Sequence, residues 1–307
     1  MITPQIFSSK TVSAVEQKQA RQLRPCTLKW RQSKLFVKSC KSANPLYLPA
    51  LENQQWLVDC LKHSPVKLVS LDPKLGETEL MFWADACEQA DKNVFLSLPS
   101  NPELPRKRRP MTWSLKRILD WNIAVLLLLI LSPVMLALTL VIRVSSAGPV
   151  FLHQWRVGKR GQLFRIIKFR TRIVNAETLH HQMMSDLPRL HQCEDDPYMT
   201  SLGCWMQKYG LDTLPQLINV VRGEMSLVGP NPWALYDAVK LSPKGQQRLN
   251  ARPGISGIWQ VMLSSHRMDI ETINYWDLEY LSSWSLKQDL KILLLTVPRV
   301  MSSSSTH

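Results

Sequence analysis

The longest apolar stretch of the chain is "IAVLLLLILSPVMLALTLVI", which covers residues 123–142 without a charge. About 20 apolar residues are enough for a helix to cross a bilayer. Ser132 and Pro133 lie in the middle, and a proline inside a helix removes a backbone hydrogen bond and kinks the helix. We therefore predict a re-entrant membrane helix over residues 118–143, which enters the cytoplasmic leaflet and returns. A kinked helix that crosses the bilayer is the alternative.

Positive charge on both sides of this stretch supports the re-entrant prediction. A helix that crosses a bilayer normally carries its excess of Lys and Arg on the cytoplasmic side only. Here the two flanks are both basic, so both are expected on anionic lipid head groups. The flanking residues are Arg106, Lys107, Arg108, Arg109, Lys116 and Arg117 before the stretch, and Arg143, Arg156, Lys159, Arg160, Arg165 and Lys168 after it.

Shorter patterns predict a small N-terminal α/β module over residues 1–100. Strands that alternate with helices favour parallel strands covered by helices. The module has no GxGxxG motif, so we predict a structural or regulatory role and no nucleotide site. The predicted elements are a strand or hairpin at 26–40, helices at 51–64 and 76–92, and strands at 66–72 and 93–99.

A proline-rich basic linker over residues 101–117 is predicted to join this module to a C-terminal domain over residues 144–307. In that domain, helical spacing at 202–206 and again at 214–221 predicts two short helices. The pattern of residues 281–293, with Lys287 and Lys291, predicts an amphipathic helix that packs on the domain or lies on a membrane surface.

Composition limits the possible functions. The chain has 307 residues, enough for about two domains, and a formal net charge of +14. Such a charge suits nucleic acid, anionic lipid or a phosphorylated substrate. The basic residues flank a lipid-compatible helix and no nucleic-acid-binding motif is present, so we expect no nucleic-acid partner. None of the six cysteines forms a CxxC pair, which argues against zinc-ribbon and thioredoxin chemistry.

Asp212 is the residue whose role is least certain from the pattern alone. It precedes the apolar stripe at 214–221, and Pro215 stands in the first turn. Aspartate is a favoured helix N-cap, so capping is the simpler interpretation. A nucleophilic carboxylate is the alternative. Six basic residues could bind phosphate or form a solvated or lipid-facing surface: Arg156, Lys159, Arg160, Lys168, Arg170 and Arg172. Lys168 and Arg170, within "IIKFRT", are the favoured phosphate candidates.

Taken together, these motifs resemble the bacterial sugar transferases, which are monotopic phosphoglycosyl transferases of polysaccharide synthesis. The resemblance covers roughly residues 111–300 and leaves out the first 100. It rests on five segments in order: "LKRILDWNIAVLLLLILSP", "GPVFLHQWRVGKRGQLFRIIKFRT", "LDTLPQLINVVRGEMSLVGPNP", "RPGISGIWQV" and "DLEYLSSWSLKQDLKILLLTV".

The resemblance implies a specific reaction and location. It implies an α/β protein whose re-entrant helix is followed by a mainly helical α+β transferase domain, on the cytoplasmic face of the bacterial inner membrane. Such enzymes move a sugar phosphate from a nucleotide diphosphate sugar to polyprenyl phosphate, with Mg²⁺, and act beside partner glycosyltransferases. The implied nucleophile and metal ligand is Asp212, helped by Glu224 or a water. The implied groups that bind substrate or phosphate are Lys168, Arg170, Glu224, Asn231 and Arg252.

Several positions depart from the family pattern. The acidic pair expected at 212–213 is Asp212 followed by Thr213, and Asn231 stands where the family has an arginine. Tyr198 also replaces an arginine, and "MLSSH" replaces a segment that is usually rich in Asn, Gly and Arg. Two hypotheses therefore stay open: a phosphoglycosyl transferase with an altered site, or an inactive homologue that acts as a membrane scaffold in polysaccharide assembly.

Overall fold

The computed structural model describes residues 26–39, 51, 53–99, 110–173, 198–258 and 270–301, which form helices and sheets in both parts of the chain. The chain divides into two compact units, Met1–Val94 and Phe95–His307. The predicted boundary near residue 100 stays a prediction, because residues 100–109 lie outside the described residues. The departure at "MLSSH" lies outside them too.

The N-terminal sheet has four strands in the order β1-β2-β3-β4. Strands β1 and β2 form the predicted hairpin, and β2 runs parallel to β3 as predicted. The two predicted helices are present, and Val37, Val69 and Leu80 are fully buried in the core. The bounds are β1 Cys26–Arg31, β2 Lys34–Ser39, α1 Gln54–His63, β3 Leu68–Leu71, α2 Glu77–Gln89 and β4 Asn93–Leu96.

A 36-residue helix, α3 (Pro110–Ser145), is the first helix described in the second unit. Residues 110–117 were predicted as linker, but they form its first two turns. Pro133 lies inside the helix. It cannot donate to the carbonyl of Leu129, four residues earlier. The Ser132 hydroxyl donates to that oxygen instead, at 2.8 Å. The helix therefore continues through Ser132 and Pro133, where the sequence predicted a break.

Helix α3 is long and apolar enough to cross a membrane. One face packs on the protein along both halves of the helix, while the opposite face is exposed. In the first half, Ala124 joins the main core; in the second half, Leu138 and Ile142 pack with Phe169 and Met206. On the outer face, Leu129 and Leu136 are 69% and 62% exposed.

The start of α3 is fixed inside the protein by a buried polar network. Lys116 is 3% exposed, and its Nζ atom lies 2.6 Å from Asp289 and 3.4 Å from Asp120. The Tyr280 hydroxyl and the Trp284 indole N–H both donate to Asp289, and Ser226 donates to Asp120. The prediction that Lys116 sits on lipid head groups is therefore wrong, because a carboxylate distant in sequence neutralises it.

Arg117 is also used inside the protein. Its guanidinium donates to the carbonyl oxygens of Val220 and Met225, at 2.8 and 3.1 Å. These carbonyls belong to the end of a short helix and the turn after it. Arg117 therefore contributes to packing, which corrects its assignment to the lipid-facing flank.

The remaining elements of the second unit follow α3 in the chain, and several of them pack against its buried face. Strands β5 and β6 form an antiparallel hairpin, and β7 runs parallel to β8. The helix predicted at 202–206 is α4, and the one predicted at 214–221 is α5. The bounds are β5 Phe151–Val157, β6 Leu163–Phe169, α4 Ser201–Lys208, α5 Gln216–Arg222, β7 Ser226–Val228, α6 Leu235–Lys240, α7 Pro243–Gln246, β8 Gly254–Ser256, α8 Ile270–Ser283 and α9 Leu286–Met301.

The amphipathic segment predicted at 281–293 is divided between α8 and α9. The division falls at Trp284 and Ser285, where Ser285 accepts a hydrogen bond from the backbone N–H of Gln288. Serine favours helix starts for this reason. Helix α9 itself is amphipathic: Ile292 is buried, while Leu290 and Leu294 are exposed.

Candidate active site

Asp212 lies in a 3₁₀ turn, Leu211–Thr213, and is 6% exposed. The residue before this turn, Gly210, has a φ of 63°, a left-handed conformation that glycine adopts without strain. The N-cap of α5 is Pro215. The interpretation of Asp212 as the cap of the apolar helix is therefore wrong. Its carboxylate instead accepts hydrogen bonds from the backbone N–H groups of Asp212 and Thr213.

Lys168 on β6 is the cation that acts on Asp212. Burial raises the pKa of Asp212, and the positive charge of Lys168 lowers it in part. Burial lowers the pKa of Lys168, and Asp212 opposes that change. Each group therefore stabilises the charged form of the other in a position where burial penalises charge. The structure thus brings together two residues that the sequence named as candidates, although they are 44 positions apart.

Two arginines extend this pair into a basic cluster. Arg156 on β5 and Arg172, just after β6, both lower the pKa of Lys168 through charge repulsion. Three cations therefore act near the buried Asp212 carboxylate, and Asp237 also interacts with Arg156. Such an excess of positive charge suits a diphosphate, which arginine binds through its planar fork. The sequence left Arg156 and Arg172 open between phosphate binding and a lipid-facing surface, because it does not show which residues act on Lys168.

Arg170 occupies a different place. Its guanidinium is 7% exposed and donates to the carbonyl oxygens of Ser146 and Ala147, at 3.0 and 2.9 Å, and to the Ser146 hydroxyl. These groups lie at the carboxyl end of α3, where helix carbonyls lack internal partners. Arg170 therefore connects the end of the long helix to the strand that carries Lys168.

Glu224 accepts a hydrogen bond from Asn219, which also bonds the backbone of β6. The sequence had not pointed to Asn219. Asn219 is fully buried, and its Nδ2 atom donates to Glu224 Oε2 at 2.7 Å and to the carbonyl of Arg165 at 2.8 Å. Its Oδ1 atom accepts from the N–H of Ile167, next to Lys168. An asparagine inside the apolar run "LINVV" was the available signal, because a buried amide requires partners.

Asn231 and Arg252 lie in two loops whose backbones touch. The Gly254 N–H donates to the Pro230 carbonyl at 2.9 Å, and the Gly229 N–H donates to Ser256 at 3.0 Å. A Cβ atom on Gly229 would come within 2.7 Å of the Arg252 carbonyl oxygen. Only glycine permits this approach, which explains the "GP" and "RPG" sequences.

The first of these loops also joins β5. The Val157 N–H donates to the Trp233 carbonyl at 3.1 Å, and Arg156 forms a β-bridge with Ala234. The loop at 229–234 is therefore attached to the strand that supplies Arg156. In this way the structure links Asn231 and Arg252 to the Lys168–Asp212 pair through backbone contacts.

A magnesium ion would need help from substrate oxygens at this site. Within the described residues, no three His, Cys, Asp or Glu side chains form a metal site of their own. Mg²⁺ commonly binds one or two carboxylates together with substrate phosphates and water. Asp212 fits that limited role, since it is a carboxylate beside a cluster suited to a diphosphate.

Comparison with known proteins gives a consistent result. Residues 111–303 match the family model described as bacterial sugar transferase. Exopolysaccharide production protein ExoY of Sinorhizobium fredii is 35% identical, over 65% of this chain and 91% of that protein. The UDP-glucose:undecaprenyl-phosphate glucose-1-phosphate transferase of Caulobacter vibrioides is 36% identical, over 62% of this chain and 72% of that protein.

One relative also aligns with much of the N-terminal unit. The UDP-galactose-lipid carrier transferase of Erwinia amylovora is 32% identical, over 85% of this chain. The chain spans 54% of the length of that protein. The similarity therefore extends beyond the residues that the family model covers.

Proposed function

Because the chain belongs to the bacterial sugar transferase family, we propose that it transfers a sugar phosphate from a nucleotide diphosphate sugar to polyprenyl phosphate. This step initiates the synthesis of an exopolysaccharide or glycoconjugate. The observation that carries the proposal is the pair of buried Asp212 and partly buried Lys168 within a basic cluster. The inactive-scaffold alternative has no support, because the relatives are named as transferases and a production protein.

The chemistry proceeds in two displacements at one phosphorus atom. First, a carboxylate oxygen of Asp212 attacks the phosphorus that carries the sugar. The bond from that phosphorus to the bridging oxygen breaks, and nucleoside monophosphate leaves with the electron pair. An oxygen of polyprenyl phosphate then attacks the same phosphorus and releases the Asp212 carboxylate. A covalent intermediate divides one difficult displacement into two easier ones.

The cations supply electrostatic stabilisation. Lys168, Arg156 and Arg172 act where negative charge accumulates on the transferred group, and fixed charges at such a position lower the barrier. Lys168 also favours the ionised form of Asp212, the form that attacks. Bound Mg²⁺ would further neutralise the diphosphate, with Asp212 as its protein ligand. Asn219, which also donates to Glu224, supports the strand beside Lys168.

The surroundings of Asp212 suit a lipid acceptor. Leu211 and Leu214, on either side of the nucleophile, pack against the cluster formed by Leu138 and Ile142 of α3. The nucleophile therefore lies beside the apolar helix. We place the reaction at the cytoplasmic face of the bacterial inner membrane, where partner glycosyltransferases would extend the product.

The packing of α3 supports a re-entrant arrangement. Entry and return on one side need a bend in the helix, and Pro133, which lacks the backbone hydrogen bond to Leu129, is the position where α3 can bend. Both halves pack on the same unit of the protein. A helix crossing the bilayer would carry its two ends to opposite sides, away from a single folded unit. Entry and return on one side keeps both sets of contacts.

This arrangement predicts where two introduced cysteines are accessible. Met111→Cys and Val144→Cys, each in protein without its native cysteines, replace residues that are 87% and 89% exposed. Both cysteines are expected to lie on the cytoplasmic side, so a membrane-impermeant thiol reagent should react with them only after the cells are permeabilised. Labelling of intact and permeabilised cells measures this. Reaction of either cysteine in intact cells would show that the helix crosses the membrane.

The proposed activity is tested with purified protein in vesicles that contain polyprenyl phosphate. A panel of nucleotide diphosphate sugars is added with Mg²⁺, and nucleoside monophosphate and lipid-linked sugar diphosphate are measured. One donor is expected to give both products in equal amounts. Absence of both products across the panel, from folded protein, would overturn the proposal.

Thr213 provides a further prediction. Its hydroxyl donates to the Gly210 carbonyl at 2.7 Å, so it closes the 3₁₀ turn. Thr213→Glu would add a second carboxylate beside Asp212 and strengthen Mg²⁺ binding. We expect transfer at low Mg²⁺ to rise roughly 10-fold, below the 10²–10⁴-fold typical of a fully positioned acid or base. Thr213→Gln, whose side chain has the length of glutamate but no charge, is the control. Equal rates for the two variants would contradict the expected effect of the charge.

A further inference from the structure

A second buried charge pair lies behind the loop at 229–234. Arg248 and Asp277 have fully buried side chains, and Arg248 Nη1 lies 2.5 Å from Asp277 Oδ2. Arg248 follows α7 in the turn Gln247–Asn250, whereas Asp277 is on α8. The ion pair therefore joins the turn Gln247–Asn250 to α8, next to the loop at 229–234.

Stability alone does not account for this pair. Arg248 Nε and Nη1 and both Asp277 carboxylate oxygens have no hydrogen-bond partner of ordinary geometry within the described residues. Burial lowers the pKa of Arg248 to about 10 and raises that of Asp277 to about 6, although each charge opposes the effect on the other. Apolar side chains of similar volume often stabilise such a position at least as well as a buried ion pair.

The pair makes directed contacts with the loop. Arg248 Nη2 donates to the carbonyl oxygen of Asn231 at 3.2 Å. The guanidinium carbon lies 4.4 Å from the centre of the Trp233 ring. On the other side, the backbone N–H of Asn231 lies close enough to the Asp277 carboxylate to lower its pKa, although outside ordinary hydrogen-bond geometry. Arg248 therefore contacts the carbonyl group of Asn231, while Asp277 lies near the N–H group of the same residue. Arg248 also packs on the ring of Trp233.

Movement of this loop would displace side chains that act at the reaction site. Trp233 and Ala234 are bonded to β5 at Val157 and Arg156. Arg156 in turn acts electrostatically on Lys168. Gly229 and Pro230 pack on the loop that carries Arg252. The loop thus connects the buried pair to the basic cluster on one side and to Arg252 on the other.

We propose that Arg248 and Asp277 are positioning residues, which hold the loop at 229–234 in the form that binds the diphosphate of the donor. They do not touch the reacting atoms. This inference rests on the proposed transferase function, and it adds the pair that sets the geometry of the donor site.

The test compares two double variants. Arg248→Met with Asp277→Leu fills the space and removes every polar contact to Asn231. Arg248→Gln with Asp277→Asn removes the charges but keeps a donor for the carbonyl and an acceptor for the N–H. We expect the apolar variant to raise KM for the donor about 10-fold or more, because misplaced binding groups lose affinity steeply. The neutral polar variant is expected to recover most of that loss.

Two further readouts separate positioning from general loss of structure. The KM for polyprenyl phosphate and the Tm are expected to stay near the parent values in the apolar variant. If that variant does not fold, Arg248→Gln with Asp277→Leu takes its place in the comparison. It differs from the neutral polar variant only in lacking the acceptor for the Asn231 N–H. A donor KM equal to that of the parent, or equally raised in the polar and apolar variants, would overturn the proposal. Failure of the transferase assignment appears separately, as absence of nucleotide release from the parent protein.

Discussion

Asp212→Asn is expected to abolish release of nucleoside monophosphate, with a loss of at least about 10³-fold, because an amide cannot serve as the nucleophile that a covalent mechanism requires. The fold should be retained. The Asp212 side chain accepts hydrogen bonds from two backbone N–H groups, and the asparagine carbonyl can accept them as well. Release from each nucleotide diphosphate sugar, measured before and after adding lipid acceptor, gives the size of the effect.

A trapping experiment makes the assignment specific. The parent protein, given a donor with labelled sugar and no acceptor, should retain one labelled sugar phosphate on a peptide that contains residue 212. Asp59→Asn makes the same chemical change at an exposed position on α1 and should behave as the parent. A label retained by Asp212→Asn, or found on another peptide, would show that a different residue attacks.

Lys168→Met is expected to produce the second largest effect, a loss of about 10²–10³-fold in kcat/KM, as for the removal of one preorganised charge from an active site. Lys168 lowers the pKa of Asp212, so its removal should raise that pKa further. Because only ionised Asp212 attacks, the acidic limb of the kcat/KM profile should move to higher pH. The profile of initial rates against pH measures both changes.

Lys244→Met provides the matched control, since Lys244 is exposed on α7. Its rate and pH profile should equal those of the parent. A Lys168→Met protein that keeps the parental acidic limb while losing activity would show that Lys168 acts on the phosphate only. Full activity would remove Lys168 from the site.

The sequence predicted the elements that depend on local pattern. The hairpin at 26–39, the helices of the N-terminal unit and the short helix after Asp212 all follow from spacing over a few residues. It placed the start of α3 at residue 118 and not at Pro110, because the basic residues Lys116 and Arg117 were assigned to the linker. The partner of Lys116, Asp289, is 173 positions away. A local pattern cannot show that a distant carboxylate makes a charged residue compatible with burial.

The candidate site shows the same limit. Asp212 and Lys168 were predicted through short motifs, and the structure brings them into one electrostatic pair. Asn219 was missed, although it bonds residues 52 and 54 positions away. Arg170 shows a further limit: a motif gives the residue type, but only the fold shows that its guanidinium meets the end of α3.

The network around Lys116 determines what kind of membrane attachment the protein has. Removal of α3 would take the Lys116 cation away from Asp289, which is buried and lies on α9. Breaking a buried ion pair by losing one partner costs about 3–5 kcal/mol, a large part of the roughly 5–15 kcal/mol that keeps a domain folded. The membrane segment is therefore one wall of the catalytic unit and cannot be detached as a tether, and a water-soluble form of this transferase requires replacement of its outer apolar face with Lys116 and Asp120 kept in place.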